Sequence, residues 1–422
     1  VTADTYLDRV SDFFASRPTL VRVLIGLGFV VSTVIMAWQT FGTSGHIDMI
    51  VYRAGAQAYL DGGSLYDQPF PAYDLMLPFI YPPFAALLLS PFTLLSPDAS
   101  GYAMVGISSL LMLLCVWFLA HYLFPTSHRA LLFIAWGWGF CLLAEPLRHN
   151  ASFGQINMWL LALVFLDIVP RNRRLPQGWL IGVAAAIKLT PVVMLFVFLL
   201  RKDWRAIAAA VIGGAVATGI GALHNAKETW DFYTHAIFVM NDNSKIGVNV
   251  AYISNQSIKG VITRLWPSNE AANNATSTIN VIWLVLVILT IAAFFLVISR
   301  LLKRNLFFEA ALANSTLMLL ISPISWSHHW VWLPLWLLMI FYYAASLRNT
   351  AVLWFATALS FFTLTIPPHW WLGDPKGDQD FQQILYMKLF MDDYFFWAII
   401  LTVIMTIAVP NMSRIRSQVL SK

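Results

Sequence analysis

The sequence predicts an all-α polytopic membrane protein. Three observations carry that prediction: an apolar fraction of 59% against 11% charged residues, a mean hydropathy of +0.69, and a succession of long apolar runs along 422 residues. A soluble domain carries roughly 25% charged residues. With less than half of that, the chain cannot hide its apolar surface in one core, and the surplus must face lipid.

Runs long enough for about 30 Å of hydrocarbon lie near 20–40, 101–124, 130–147, 153–170, 205–223, 277–299, 306–322, 329–346, 350–367 and 393–411. Two shorter runs, near 82–96 and 178–200, are broken by proline, which gives about 11–13 transmembrane elements in all. The run after Pro18 lacks the short apolar segment and small-residue cleavage site of a secretory leader, so the first helix is expected to stay in the membrane. Cys115 and Cys141 both sit inside apolar runs, as core fillers rather than a disulfide framework or thiolate metal site. No internal repeat or separate soluble region stands out, and residues 1–422 read as a single domain.

The formal net charge of +5 comes from short basic clusters beside the runs, and so reports topology rather than an anionic partner. Positive-inside bias puts Arg9, Arg17 and Arg22, then Arg171, Arg173 and Arg174, then Arg201, Lys202 and Arg205, then Arg300, Lys303 and Arg304, then Arg348, and finally Arg414, Arg416 and Lys422 in the cytoplasm, with both termini. The stretch 178–200 must then dip and return, with Pro191 the place to turn. The stretch 82–96 is a half-span or re-entrant arm, since Pro82, Pro83, Pro91 and Pro97 interrupt it. The outer side receives loop 41–80, segment 145–157, the Lys188 turn, loop 224–276, segment 322–329 and loop 368–392. Nearly every unusual polar cluster falls in those segments. No basic, aromatic-interleaved surface suggests nucleic acid.

Asp48 follows the first run. A carboxylate at the outer boundary suits a general base whose pKa partial desolvation would raise; an isolated Asp there more often simply pairs with Arg53 or His46. Its company is Tyr81, Gln155, Asn157, Lys188, Asn255, Gln256, Trp326, His328 and His329. Amides and aromatic rings at a membrane face suit a sugar, and equally serve as interhelical hydrogen bonds or caps, Gln155 and Asn157 above all. Lys188 at a helix break is costly unless it meets an anion such as a lipid-linked phosphate or snorkels to the interface. Adjacent His328 and His329 do not chelate one metal, and no metal-ligand spacing occurs elsewhere. The pair Asp392 and Asp393 reads as a solvated face. Many tryptophans sit at run ends as interfacial anchors.

In sequence order, Asp48 with Val51-Tyr52, Gly62-Gly63-Ser64-Leu65-Tyr66, Tyr81-Pro82-Pro83-Phe84, Gly154-Gln155-Ile156-Asn157, Lys188-Leu189-Thr190-Pro191, Ser254-Asn255-Gln256-Ser257 and Ser322-Pro323-Ile324-Ser325-Trp326-Ser327-His328-His329 resemble the membrane-embedded glycosyltransferases of the C superfamily. Within it they resemble the mycobacterial polyprenyl-phosphate-mannose-dependent α-1,2-mannosyltransferases. The resemblance implies a GT-C-type fold with periplasmic loops roofing the active site in the bacterial plasma membrane. It implies inverting transfer of mannose from polyprenyl-phosphate-mannose to a phosphatidylinositol mannoside. In that scheme Asp48 is the base, with His328 beside it in the catalytic set; Lys188, Arg53, His329 and Tyr81 meet the donor; Gln155, Asn157, Asn255, Gln256 and Trp326 meet sugar or acceptor. No cofactor and no metal are expected. Mannose branching of lipomannan or lipoarabinomannan fits the same motifs. A transporter or flippase for a lipid-linked sugar is the rival from another class, and a non-catalytic envelope partner a third; loss of Asp48 would matter little to the last.

Overall fold

A computed structural model describes residues 13–14, 16–124, 127–237, 249–373 and 379–420. Arg9, Lys422 and parts of two expected outer loops, 238–248 and 374–378, lie outside the described residues.

The protein is all-α apart from one antiparallel hairpin, Phe70–Ala72 with Leu75–Leu77, among the described residues. Among the described residues four helices are long and apolar enough to cross a membrane: Pro18–Gly42, Pro97–Leu123, Trp204–His224 and Thr276–Leu302. Two further candidates are bent: Arg129–Leu143 with Glu145–Phe153 by 63°, and Leu385–Met391 with Asp393–Ala408 by 74°. Shorter apolar helices of 10–17 residues accompany them: Pro83–Leu94, Asn157–Ile168, Thr190–Arg201, Phe307–Ile321, Leu333–Ser346 and Thr350–Leu364. The chain is thus a multi-pass membrane protein.

The breaks have local causes. The run expected as one span over 130–147 stops at Leu143, because Pro146 has no N–H to donate to the Leu142 carbonyl and its ring crowds that carbonyl; a new helix starts at Glu145. The run over 82–96 is helical only from Pro83 to Leu89 and tightens into a 3-10 turn over Ser90–Leu94. The run over 178–200 divides as expected into Trp179–Ile187 and a second arm from Thr190, with Lys188 extended between them (φ −151°). Pro191 then starts the second arm, where its missing N–H costs nothing.

The chain clusters into two compact units. One comprises Trp38–Leu111 and His149–Val250. In it, helix Trp204–His224 lies tight against Trp179–Ile187. A Cβ on Gly182 would come within 1.9 Å of the Ala210 carbonyl oxygen, and one on Gly213 within 2.6 Å of the Trp179 oxygen. Small residues let the two backbones meet, which is how apolar helices associate where lipid removes the hydrophobic driving force. Asp167 fastens the start of the same helix by accepting from the backbone N–H of Gly178 (2.9 Å) and Ile181 (3.0 Å). Tyr59 donates to the Gly221 carbonyl at 2.5 Å, and Glu228 accepts from the Leu65 N–H at 2.8 Å, so helix Ile47–Leu60 and the segment after it are pinned to the same scaffold.

The other unit comprises Val1–Ala37, Met112–Arg148 and Ala251–Lys422. The first helix meets Ser127–Leu143 through Ser32, whose hydroxyl donates to the Ala135 carbonyl (2.7 Å). Glu309 is wholly buried and accepts from the hydroxyls of Tyr122 (2.8 Å) and Tyr343 (2.5 Å). The Arg416 guanidinium stacks 3.6 Å from the Tyr122 ring and so ties in the last helix. Asp392 and Asp393 do not form a solvated face: both are buried. Asp392 pairs with Arg264, and Asp393 accepts from His369 Nδ1 at 2.9 Å. Each acid found a buried cation, which spacing alone did not reveal.

Candidate active site

Helix Ile47–Leu60 begins after Gly45 (φ 94°) and His46 (φ 33°), both left-handed, so the chain turns sharply into it. His46 is buried, and its Nε2 lies 3.0 Å from the Thr43 hydroxyl. Asp48 therefore occupies the first helical turn, where unpaired backbone N–H groups favour an anion. Tyr52, four residues on, shares its helix face.

Opposite this face comes Gly154-Gln155-Ile156-Asn157. Gly154 adopts φ 66°, and a Cβ there would stand 2.9 Å from the Met49 Cβ and 3.1 Å from the His46 Cβ. Only glycine permits both the turn and that approach. The result is a polar chain with one consistent assignment of donors. Gln155 Nε2 donates to Asp48 Oδ2 at 2.7 Å, and Tyr52 donates to Gln155 Oε1 at 2.7 Å. Since the Tyr52 proton is spent on Gln155, Tyr81 donates to Tyr52 across 2.8 Å. Lys188, at the break between its two arms, places Nζ 3.4 Å from Asn157 Oδ1 and 5.4 Å from the centre of the Tyr81 ring. Burial raises Asp48 to about 6, against the opposing pulls of the Gln155 hydrogen bond and the Lys188 charge. A carboxylate so poised is ionised at neutral pH and still basic enough to take a hydroxyl proton.

Asp48, Tyr81, Gln155, Asn157 and Lys188 are thus brought together within one unit. Arg53 belongs to that unit, with Nε and one Nη donating to the carbonyls of Phe92 (3.1 Å) and Leu95 (2.7 Å), where they close the 3-10 turn. Asn255, Gln256, Trp326, His328 and His329 lie in the other unit, where Ser254-Asn255-Gln256-Ser257 is knitted to 322–327. Asn255 Oδ1 accepts from the Ser325 N–H (2.9 Å), its Nδ2 donates to the Pro323 carbonyl (3.2 Å), and the Gln256 N–H donates to the Ser325 carbonyl (2.9 Å). Gln256 Nε2 donates to the carbonyls of Ile253 (2.9 Å) and Met391 (3.0 Å). Both amides are fully buried and hold main chain. Trp326 and His329 are half-buried, His328 is buried, and the two histidine rings meet edge to face at 4.8 Å. Among the described residues no group of three or more His, Cys, Asp or Glu is placed to hold a metal ion.

Reading the sequence missed the part Tyr52 plays, although its i+4 spacing from Asp48 was visible. It also missed a buried cluster in the second unit, where His369 lies between Asp393 (2.9 Å) and Glu145 (3.8 Å). Glu145 accepts from Trp370 Nε1 at 2.7 Å and from the Tyr394 hydroxyl at 2.5 Å. An acid within an apolar run was the available signal.

Residues 79–323 match the model of Glycosyltransferase family 87. A polyprenol-phosphate-mannose-dependent alpha-(1-2)-phosphatidylinositol mannoside mannosyltransferase of Mycobacterium tuberculosis is 33% identical over 78% of this chain and 76% of its own length. The protein of the same description from Mycolicibacterium smegmatis is 29% identical, over 90% and 87%. A phosphatidylinositol pentamannoside mannosyltransferase of Mycolicibacterium smegmatis is 32% identical, over 81% and 82%. Among solved structures, ArnT from Cupriavidus metallidurans bound to undecaprenyl phosphate aligns with 95% of this chain and 78% of its own at 14% identity and a TM-score of 0.39.

Proposed function

The chain belongs to glycosyltransferase family 87, and from that premise we propose that it moves mannose from polyprenyl-phosphate-mannose to a phosphatidylinositol mannoside, forming an α-1,2 linkage with inversion. The observation that carries the reading is the Asp48 carboxylate, held by Gln155 beside Lys188 and raised to about 6. In one displacement, Asp48 takes the proton of the acceptor hydroxyl and the freed oxygen bonds to the anomeric carbon. The bond from that carbon to the phosphate oxygen breaks, and polyprenyl phosphate leaves with the electron pair. Lys188 meets the charge that develops on the phosphate, a stabilisation available without a resident metal.

The site faces the outer side of the bacterial plasma membrane in this proposal, with both termini inside. Within the first unit, Gln155 and Asn157 stand at the start of helix Asn157–Ile168, whereas Arg171, Arg173 and Arg174 follow its end. Lys188 likewise stands at the end of Trp179–Ile187 remote from those arginines. Positive-inside bias then puts the site outward. The curated relatives, with mannoside and pentamannoside acceptors, are 33% and 32% identical, so the class of acceptor is common to both.

Purified protein in nanodiscs, given polyprenyl-phosphate-mannose and mixed phosphatidylinositol mannosides, should yield a product whose new linkage is α-1,2 by NMR, with EDTA leaving the rate within about twofold. Movement of labelled donor across proteoliposomes without any new linkage would support a transporter instead.

A further inference from the structure

In the second unit, Tyr252 stands between two indoles, edge to face with Trp326 at 5.7 Å and with Trp370 at 6.3 Å, and all three rings are half-buried. We propose that these three rings form a platform that binds a neutral pyranose of the acceptor headgroup, an inference that rests on the mannosyl-transfer reading above.

Interfacial anchoring does not account for Trp370. An anchoring indole turns its N–H toward headgroups and water, whereas Trp370 commits its own inward to the buried Glu145 carboxylate at 2.7 Å. Its neighbour Trp371, 58% exposed, has the character of an anchor. The rings are also braced from beneath. Arg264 donates to the carbonyls of Ala251, Tyr252 and Asn255, fixing the Tyr252 backbone (3.2 Å at Tyr252). Asn255 pairs with Trp326 across an isolated bridge. The buried amides of the two motifs thus hold rigid the rings that flank them, and stacking on a pre-ordered ring costs little conformational entropy.

The charge beneath the rings selects the ligand. Buried Glu145, Asp380, Asp392 and Asp393 stand against Arg264, Lys388 and His369. With Arg148 near Tyr394 as a fourth cation, the cations among the described residues there do not outnumber the acids, and Asp380 lies near enough to act on the Tyr252 hydroxyl electrostatically. A polyhydroxylated, uncharged ring meets these terms: its C–H face stacks on an aromatic ring, and its hydroxyls find the polar edge.

Two readouts test the platform on the full chain in nanodiscs. In saturation-transfer NMR with methyl α-1,6-mannobioside, which needs no catalysis, wild type should transfer magnetisation to the sugar, Trp326→Leu and Tyr252→Leu should lose it at least fivefold, and Tyr252→Phe and Trp371→Leu should keep it. In the mannosyl-transfer assay, the two Leu variants should raise the acceptor KM about tenfold and leave donor KM within twofold. Saturation transfer unchanged in both Leu variants, or donor and acceptor KM rising together, would overturn the platform. If wild type makes no mannolipid yet binds the mannobioside through these rings, the transfer reading fails while the sugar site stands.

Discussion

The sequence singled out Asp48 because a carboxylate shortly after the first apolar run stood in order with six other motifs. What it does there depends on contacts the sequence did not display. Gln155 has both ends of its amide spent, one on Asp48 and one on Tyr52, which leaves the second Asp48 oxygen for a substrate proton. Because burial raises Asp48 to about 6, the protonated form dominates below that pH and cannot act as a base. The kcat/KM of transfer should therefore be level near pH 7 and fall tenfold for each pH unit below about 6. A flat profile down to pH 4.5 would remove Asp48 from that role. The sign for stability is the reverse of the usual carboxylate: ionising a group whose folded pKa is raised weakens the fold, and the loss accrues as pH rises from the unfolded value through about 6.

At the scale of elements, the close approaches are glycines, and the sequence showed those glycines without showing what they touch. Gly154 lets the Gln155 segment reach helix Ile47–Leu60, and Gly154→Ala forces a Cβ into Met49 and His46 at a left-handed φ. That variant should lose roughly 1–3 kcal/mol of stability and most of its activity. Gly219→Ala, where nothing lies within 4 Å, should be neutral in the same thermal and transfer assays. The two bent helices carry their acids, Glu145 and Asp393, at their breaks, and His369 lies between those acids. Burial opposes the charge on His369, but Asp393 and then Glu145 outweigh it and raise the imidazole to about 9. A raised folded pKa contributes stability that is complete below about 6.5 and is lost as pH passes 9. His369→Gln should accordingly lower the thermal midpoint by roughly 5 °C or more at pH 6, with the gap to wild type narrowing toward pH 9.5; a gap independent of pH would show that His369 serves by packing alone.

For the whole molecule, hydropathy located every long helix, because lipid requires continuous apolar length whatever the tertiary contacts. It placed the ends less well. Glu145 with Pro146 ends one run early, and helix Leu333–Ser346 starts four residues after the expected 329, behind the turn Ser327–His329. Hydropathy was silent on which buried charges pair, since Arg264 and Asp392 are 128 residues apart. Topology has a clean test because Cys115 and Cys141 are buried. In intact cells, an impermeant maleimide should label Ser44→Cys and leave Lys303→Cys unlabelled until the membrane is opened. The reverse pattern would turn the proposed site inward.

The most direct test of the account is transfer of radiolabelled mannose from polyprenyl-phosphate-mannose to phosphatidylinositol mannosides by reconstituted wild type, Asp48→Asn and Asp48→Ala, resolved by thin-layer chromatography, with folding checked by size-exclusion profile. A general base at Asp48 predicts a larger mannolipid from wild type and a loss of at least about a hundredfold in both folded variants. Equal product from all three would contradict it.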